Sequence, residues 1–126
     1  MTGERILVVE DNEKNMKLFR DVLSATGYRT LEATTGGEAV EMATEHAPDL
    51  VLMDIQMPDM DGVEALRRLR ADARTASLRV LAVTAQAMRG DREQFLAAGF
   101  DGYLSKPVSV QELLGTVRRY CDGVAG

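Results

Sequence analysis

Five short apolar runs, Arg5-Val9, Tyr28-Ala33, Leu50-Met53, Leu78-Val83 and Gly102-Leu104, are separated by amphipathic stretches, and one more such stretch follows the last. The runs read as strands and the stretches between them as helices. Strands alternating with helices of this length build a parallel sheet with helices on both faces, the α/β class. The 126 residues suit one such domain and leave no room for two ordinary ones.

Capping patterns mark several helix starts. Ser109 and Glu112 stand three apart before a last helix striped with Val110, Leu113, Leu114, Val117 and Cys121. Thr35 and Glu38 repeat that spacing before a helix carrying Ala39, Val40, Met42 and Ala43. The first helix is expected to bury Phe19, Val22 and Leu23, with Met16 at the edge and Gly27 at its C-terminal cap. Val63, Leu66 and Leu69 define the third helix. The fourth, over about Gln86 to Ala98, is polar, and Gly90 near its middle costs about 1 kcal/mol relative to Ala.

Composition narrows the function. Net charge is −5 and the pI near 4.9, whereas nucleic-acid binding rests on clustered Lys and Arg, so direct nucleic-acid contact is not expected. Leu50-Val51-Leu52-Met53 is far too short to span a bilayer, and the N-terminus lacks the apolar stretch of a secretion signal. Cys121 is the one cysteine, which excludes an internal disulfide and makes a cytoplasmic setting the expectation. His46 has no metal-ligand companion and reads as structural.

In an open parallel sheet, ligands bind beyond the carboxyl ends of the strands. Glu10 and Asp11 follow the first run, Asp54 the third, Thr84 the fourth, and Ser105, Lys106 and Pro107 the fifth. Thr34, Thr35 and Gly36 after the second read as turn and cap. Three clustered carboxylates with one lysine leave two negative charges, which one divalent cation balances. Oxygen-only ligands favour Mg²⁺ over zinc. Asp54, at the end of an apolar strand, is placed to attack phosphorus, a reaction that needs Mg²⁺, a fixed cation and a small donor. Asp11 with the metal, Lys106 and Thr84 supply those parts, and the small Ala85 leaves room for a donor to approach.

Four elements, Ile6-Asn12, Asp54-Gly62, Ala82-Ala85 and Tyr103-Pro107, resemble in order and spacing the CheY-like receiver domains of two-component response regulators. The resemblance covers about Glu4 to Tyr120, within a single receiver domain over 1–126. The wording Met53-Asp54-Ile55-Gln56-Met57-Pro58 is nearer to hybrid-kinase receivers and single-domain regulators of the DivK type than to chemotaxis CheY. The resemblance implies a doubly wound, flavodoxin-like, five-stranded parallel sheet in order 2-1-3-4-5 with five helices.

The resemblance further implies that Asp54 accepts a phosphoryl group from a phosphohistidine of a histidine kinase or phosphotransfer protein. Asp11 and Asp54 would ligate Mg²⁺ directly, Glu10 through water, and Gln56 through its backbone carbonyl. Thr84 would bond the phosphoryl oxygen, Lys106 would pair with it, and the Lys106-Pro107 peptide would be cis. Tyr103 holds the aromatic switch position, so that the surface of helix four, strand five and helix five changes for a protein target. Glu10 stands where many receivers have Asp, and Gln56 and Gln86 stand where receivers tune hydrolysis.

Turnover of a free substrate is not expected. Haloacid dehalogenase-type phosphatases carry a second Asp two residues after the nucleophile, where this chain has Gln56, and a flavodoxin-like FMN binder would need a Ser/Thr/Gly-rich loop where Glu10-Asp11-Asn12-Glu13 is acidic. Leu18, beside Lys14 and Lys17, reads either as peripheral packing or as a docking contact for a kinase's helical bundle, and Arg118 and Arg119 as a solvated face. The initial Met and short tail favour a complete single-domain protein, although a receiver cut from a hybrid kinase or transcription factor would read the same.

Overall fold

The structure, a computed structural model, describes residues 4–57, 59–85 and 91–121. Five parallel strands, β1 (Arg5–Val9), β2 (Arg29–Ala33), β3 (Leu50–Asp54), β4 (Val80–Thr84) and β5 (Gly102–Ser105), form one sheet in the order β2-β1-β3-β4-β5. Helices α1 (Glu13–Ala25), α2 (Gly36–His46), α3 (Gly62–Ala71), α4 (Asp91–Ala98) and α5 (Val110–Cys121) connect and follow them. This is the doubly wound α/β architecture expected.

The two faces of the sheet carry separate cores. Because side chains alternate along a strand, Ile6 and Val8 of β1 meet Phe19 and Leu23 of α1 and Leu113 and Val117 of α5, while Leu7 and Val9 meet Ala39 and Ala43 of α2 and Leu66 and Leu69 of α3. The central strands β3 and β4 are buried along their whole length. Two expected positions differ. Met16, read as an edge residue, is 5% exposed, because it packs with Phe19 into the α1–α5 core. Val110, read into the α5 stripe, is 46% exposed, because it is the first residue of α5 and the buried part of the stripe begins a turn later at Leu113.

Helix ends follow the sequence signals with small shifts. Gly27 (φ 96°) terminates α1, where Tyr28 N–H reaches the Leu23 carbonyl at 3.1 Å and Gly27 N–H that of Ser24 at 3.1 Å, the two bonds of a Schellman cap. Gly99 (φ 114°) ends α4 in the same way, through Phe100 to Phe95 and Gly99 to Leu96. At α2, Thr35 Oγ1 accepts from Glu38 N–H at 3.1 Å, but the Glu38 carboxylate bonds Thr34 N–H at 2.6 Å instead of the cap residue's own amide. The start expected for α4, from Gln86 through Gly90, lies outside the described residues.

One half-buried cation left no signal in the sequence. Arg70 of α3 donates to the carbonyls of Ala76 (3.0 Å) and Gly99 (2.8 Å) and to Asp101 Oδ2 (3.1 Å), and Asp101 Oδ2 also accepts from Val80 N–H at 2.8 Å. Arg70 thereby joins α3 to the α4–β5 turn and to the start of β4. None of the helices among the described residues is long and apolar enough to cross a membrane.

Candidate functional site

The parallel register sets which residues converge. β1 and β3 lie side by side, with Val9 opposite Met53, so Glu10 and Asp11 emerge beside Asp54 at the same sheet edge. On the other side of β3, β4 brings Thr84 and β5 brings Ser105, which are register partners, and Lys106 follows directly. The backbone is continuous across this edge: Ile55 N–H bonds the Val83 carbonyl at 3.2 Å and Lys106 N–H the Thr84 carbonyl at 2.8 Å.

Side chains then close the cluster. Carboxylate oxygens of Glu10, Asp11 and Asp54 lie within 4.8 Å of one another. Glu10 is 1% exposed, Asp54 3% and Thr84 5%, whereas Asp11 faces solvent. Lys106 Nζ sits 3.1 Å from Glu10 Oε1 and 3.3 Å from Asp54 Oδ2. The Lys106–Pro107 peptide is cis.

Burial pushes the Glu10 carboxyl up, and the Asp54 charge adds to it; Lys106 pulls the other way without overcoming them. For Lys106, burial by itself would lower the ammonium, but the charges of Glu10 and then Asp54 outweigh it and hold it above its ordinary value. The cluster is therefore short of positive charge. Glu10 Oε1 is buried without a hydrogen bond, held only by its ion pair with Lys106. A buried carboxylate oxygen in that condition, beside two more carboxylates, fits a hard divalent cation as the further partner.

Residues around the cluster orient it. Asn12 caps α1 by accepting from Lys14 N–H (3.0 Å) and Asn15 N–H (3.1 Å), while its own amide donates to Glu10 Oε2 at 3.2 Å. Asn15 Nδ2 reaches the same oxygen at 3.5 Å. Gln56 N–H donates to Asp54 Oδ1 at 3.1 Å. Sequence reading assigned Asn15 no role; its spacing of five from Glu10, on the first turn of the helix that Asn12 caps, is the signal that would have found it. Tyr103 is half-buried, its ring 6.4 Å from that of Phe95 on α4. Gly62 packs against the end of β3: a Cβ there would lie 2.6 Å from the Asp54 carbonyl oxygen. Pro58 and Gln86 lie outside the described residues.

A doubly wound sheet carrying three acids and a lysine at its carboxyl edge is the signature of a phosphoacceptor module, and the family comparison agrees. Residues 6–118 match the response regulator receiver domain, and the chain belongs to that family; it is a two-component response regulator. Among its relatives is the polar-differentiation response regulator DivK of Brucella ovis, 47% identical over 115 residues that cover 91% of this chain and 94% of the relative. The receiver domain of a sensor histidine kinase from Pseudomonas aeruginosa PAO1, solved with a magnesium ion coordinated in its active-site cleft, superimposes with a TM-score of 0.88 at 37% identity, over 96% of this chain and 99% of that one. The chemotaxis response regulator CheY4 of Vibrio cholerae gives 0.89 at 27% identity, over 94% and 99%.

Proposed function

We propose that Asp54 receives a phosphoryl group from a phosphohistidine on a sensor kinase or phosphotransfer protein. The observation that carries this reading is the position of Asp54: 3% exposed at the end of β3, with Lys106 at 3.3 Å and two further carboxylates within 4.8 Å. An Asp54 oxygen attacks phosphorus, the O–P bond forms as the N–P bond breaks, and the electron pair stays on the imidazole nitrogen, which takes a proton. Lys106 neutralises charge on the phosphoryl oxygens, Thr84 at the adjoining strand end donates a hydrogen bond to them, and the Gln56 amide holds the second carboxylate oxygen. Glu10, Asp11, Asp54 and the Gln56 carbonyl would hold Mg²⁺, which when bound offsets the charge of the acids and the incoming phosphoryl group.

Phosphorylation turns a carboxylate into a group of roughly two negative charges with strong acceptor oxygens. Thr84 moves toward it and Tyr103, resting against Phe95, rotates inward, so that the face formed by α4, β5 and α5 alters for a protein target. The chain acts as one receiver unit that turns over its own acyl phosphate in the cytoplasm and releases no product from a free substrate.

Docking of the phosphodonor is supported by a cavity of about 260 Å³ lined by Asn15, Leu18, Phe19, Ala85, Lys106 and Pro107, next to the acceptor. Leu18 is 39% exposed at its rim, which favours the docking role over peripheral packing. Incubation with a phosphorylated histidine kinase tests the reading. The expected label is lost in hydroxylamine, as an acyl phosphate is, and is absent from Asp54→Asn. Label that resists hydroxylamine, or that persists in Asp54→Asn, would overturn it.

A further inference from the structure

The first amides of α2 are satisfied from outside the helix. Asp59 Oδ1 accepts from Gly36 N–H at 2.7 Å and Oδ2 from Gly37 N–H at 2.9 Å, a two-pronged, charge-assisted grip across more than twenty residues of sequence. The positive end of the α2 dipole strengthens it, and the two amides, that of Gly37 foremost, hold the Asp59 carboxyl below its ordinary value. Gly36 is buried against the neighbouring Met60, and a Cβ there would run into Met60 Cγ. The Gly36-Gly37 pair thus lets the loop sit down on the helix.

That loop leads from β3 toward α3 and carries a backbone donor to Asp54. Its two ends are tied to each other by Gly62 N–H on the Ile55 carbonyl at 2.8 Å, and Gln56 N–H lies on Asp54 Oδ1 at 3.1 Å. Asp59 connects this short loop to a helix that has no residue in the acidic cluster.

We propose that Asp59 is a positioning residue of the phosphoryl-transfer site: by gripping the α2 amides it anchors residues 59–61 and, through the Gly62 N–H on the Ile55 carbonyl, keeps the Gln56 amide on Asp54 and the Gln56 carbonyl where the metal is bound. The inference rests on the metal-dependent reading above and deepens it. Asp59 touches neither phosphorus nor metal and acts through Gln56. Partners hydrogen-bonded directly to a metal ligand typically carry about 10–100-fold in metal affinity, and Asp59 stands one step further out. Asp59 grips only the loop that offers one of four ligands, so about tenfold is expected.

The test uses the full chain and three variants. Asp59→Ala removes the grip, Asp59→Asn keeps one acceptor, and Thr35→Ala removes the other cap of α2 while leaving the loop alone. Amide hydrogen exchange without metal and direct titration with Mg²⁺ are measured on each. Faster exchange at Gln56 and about tenfold weaker Mg²⁺ binding in Asp59→Ala, a smaller change in Asp59→Asn, and wild-type values in Thr35→Ala establish the role. Equal effects from Thr35→Ala and Asp59→Ala would make Asp59 merely a helix cap and overturn it, as would an unchanged Gln56 amide in Asp59→Ala. A wild-type chain that binds no Mg²⁺ would sink the metal-dependent reading and the Gln56-carbonyl part with it, while the exchange data would still decide whether Asp59 holds the loop.

Discussion

Lys106 is the one cation in contact with both buried acids of the cluster among the described residues, at 3.1 Å from Glu10 and 3.3 Å from Asp54. At an effective dielectric constant of about 20, each contact is worth roughly 5 kcal/mol of attraction. The two carboxylates, within 4.8 Å, repel by roughly 3.5 kcal/mol on the same basis. Lys106→Met keeps the length of the side chain, removes the attraction and leaves the repulsion. The full deficit is not reached, because Glu10 takes up a proton first. Burial and Asp54 already hold its carboxyl above the ordinary 4.5. Protonating a carboxyl of that ordinary pKa at about pH 7 costs roughly 3.4 kcal/mol, and a raised pKa lowers this ceiling. The Glu10 share of the expected loss without metal is therefore about 2–3 kcal/mol at neutral pH, and the lost Asp54 contact adds to it.

Its pH dependence carries the stronger test. An acid whose folded pKa exceeds its unfolded one makes the folded state bind more protons, so stability falls as pH rises from 4.5 through the raised value. Lys106→Met raises Glu10 further and steepens that slope. Urea unfolding in EDTA should show the deficit largest near about pH 8 and shrinking toward about pH 5. A deficit that stays constant, or that grows on the acid side, would refute the argument that Lys106 compensates Glu10 and Asp54.

Three other expectations follow from single contacts. Leu18→Ala should slow phosphotransfer from a kinase far more than phosphorylation by acetyl phosphate, with a stability loss below about 1 kcal/mol; equal slowing with both donors would remove Leu18 from docking. Gly62→Ala forces a Cβ to within 2.6 Å of the Asp54 carbonyl oxygen, so it should cost about 1–3 kcal/mol in urea unfolding and slow phosphorylation of the displaced acceptor. Thr75, 1% exposed, donates to the Leu69 carbonyl at 2.6 Å, and Thr75→Val should cost about 1–2 kcal/mol by calorimetry with phosphorylation unchanged.

How much was legible in the chain depends on the range of the signal. Strands such as Arg5–Val9 were readable end to end because their whole pattern lies within a few residues, and Gly27 because a left-handed cap is a local demand. The order of the strands is set by packing between elements, and it came from resemblance to a family. Val110 was misread because its place in the helical stripe says nothing of whether a sheet lies beneath that turn. The convergence of Glu10, Asp11, Asp54 and Lys106 was legible because parallel strands end at a common edge. The grips of Asp59 on Gly36 and of Arg70 on Gly99 were not, since a side chain bonding a backbone amide or carbonyl some twenty to thirty residues away leaves no periodicity.

In the proposed function Asp54 is the phosphoacceptor and the acids around it serve a divalent cation. Intact mass after incubation with Mg²⁺ and acetyl phosphate, beside Asp54→Asn, tests it most directly. One added phosphoryl group is expected, absent when EDTA is present during the reaction and absent from Asp54→Asn. A phosphoryl group on Asp54→Asn, or undiminished labelling in EDTA, would contradict it.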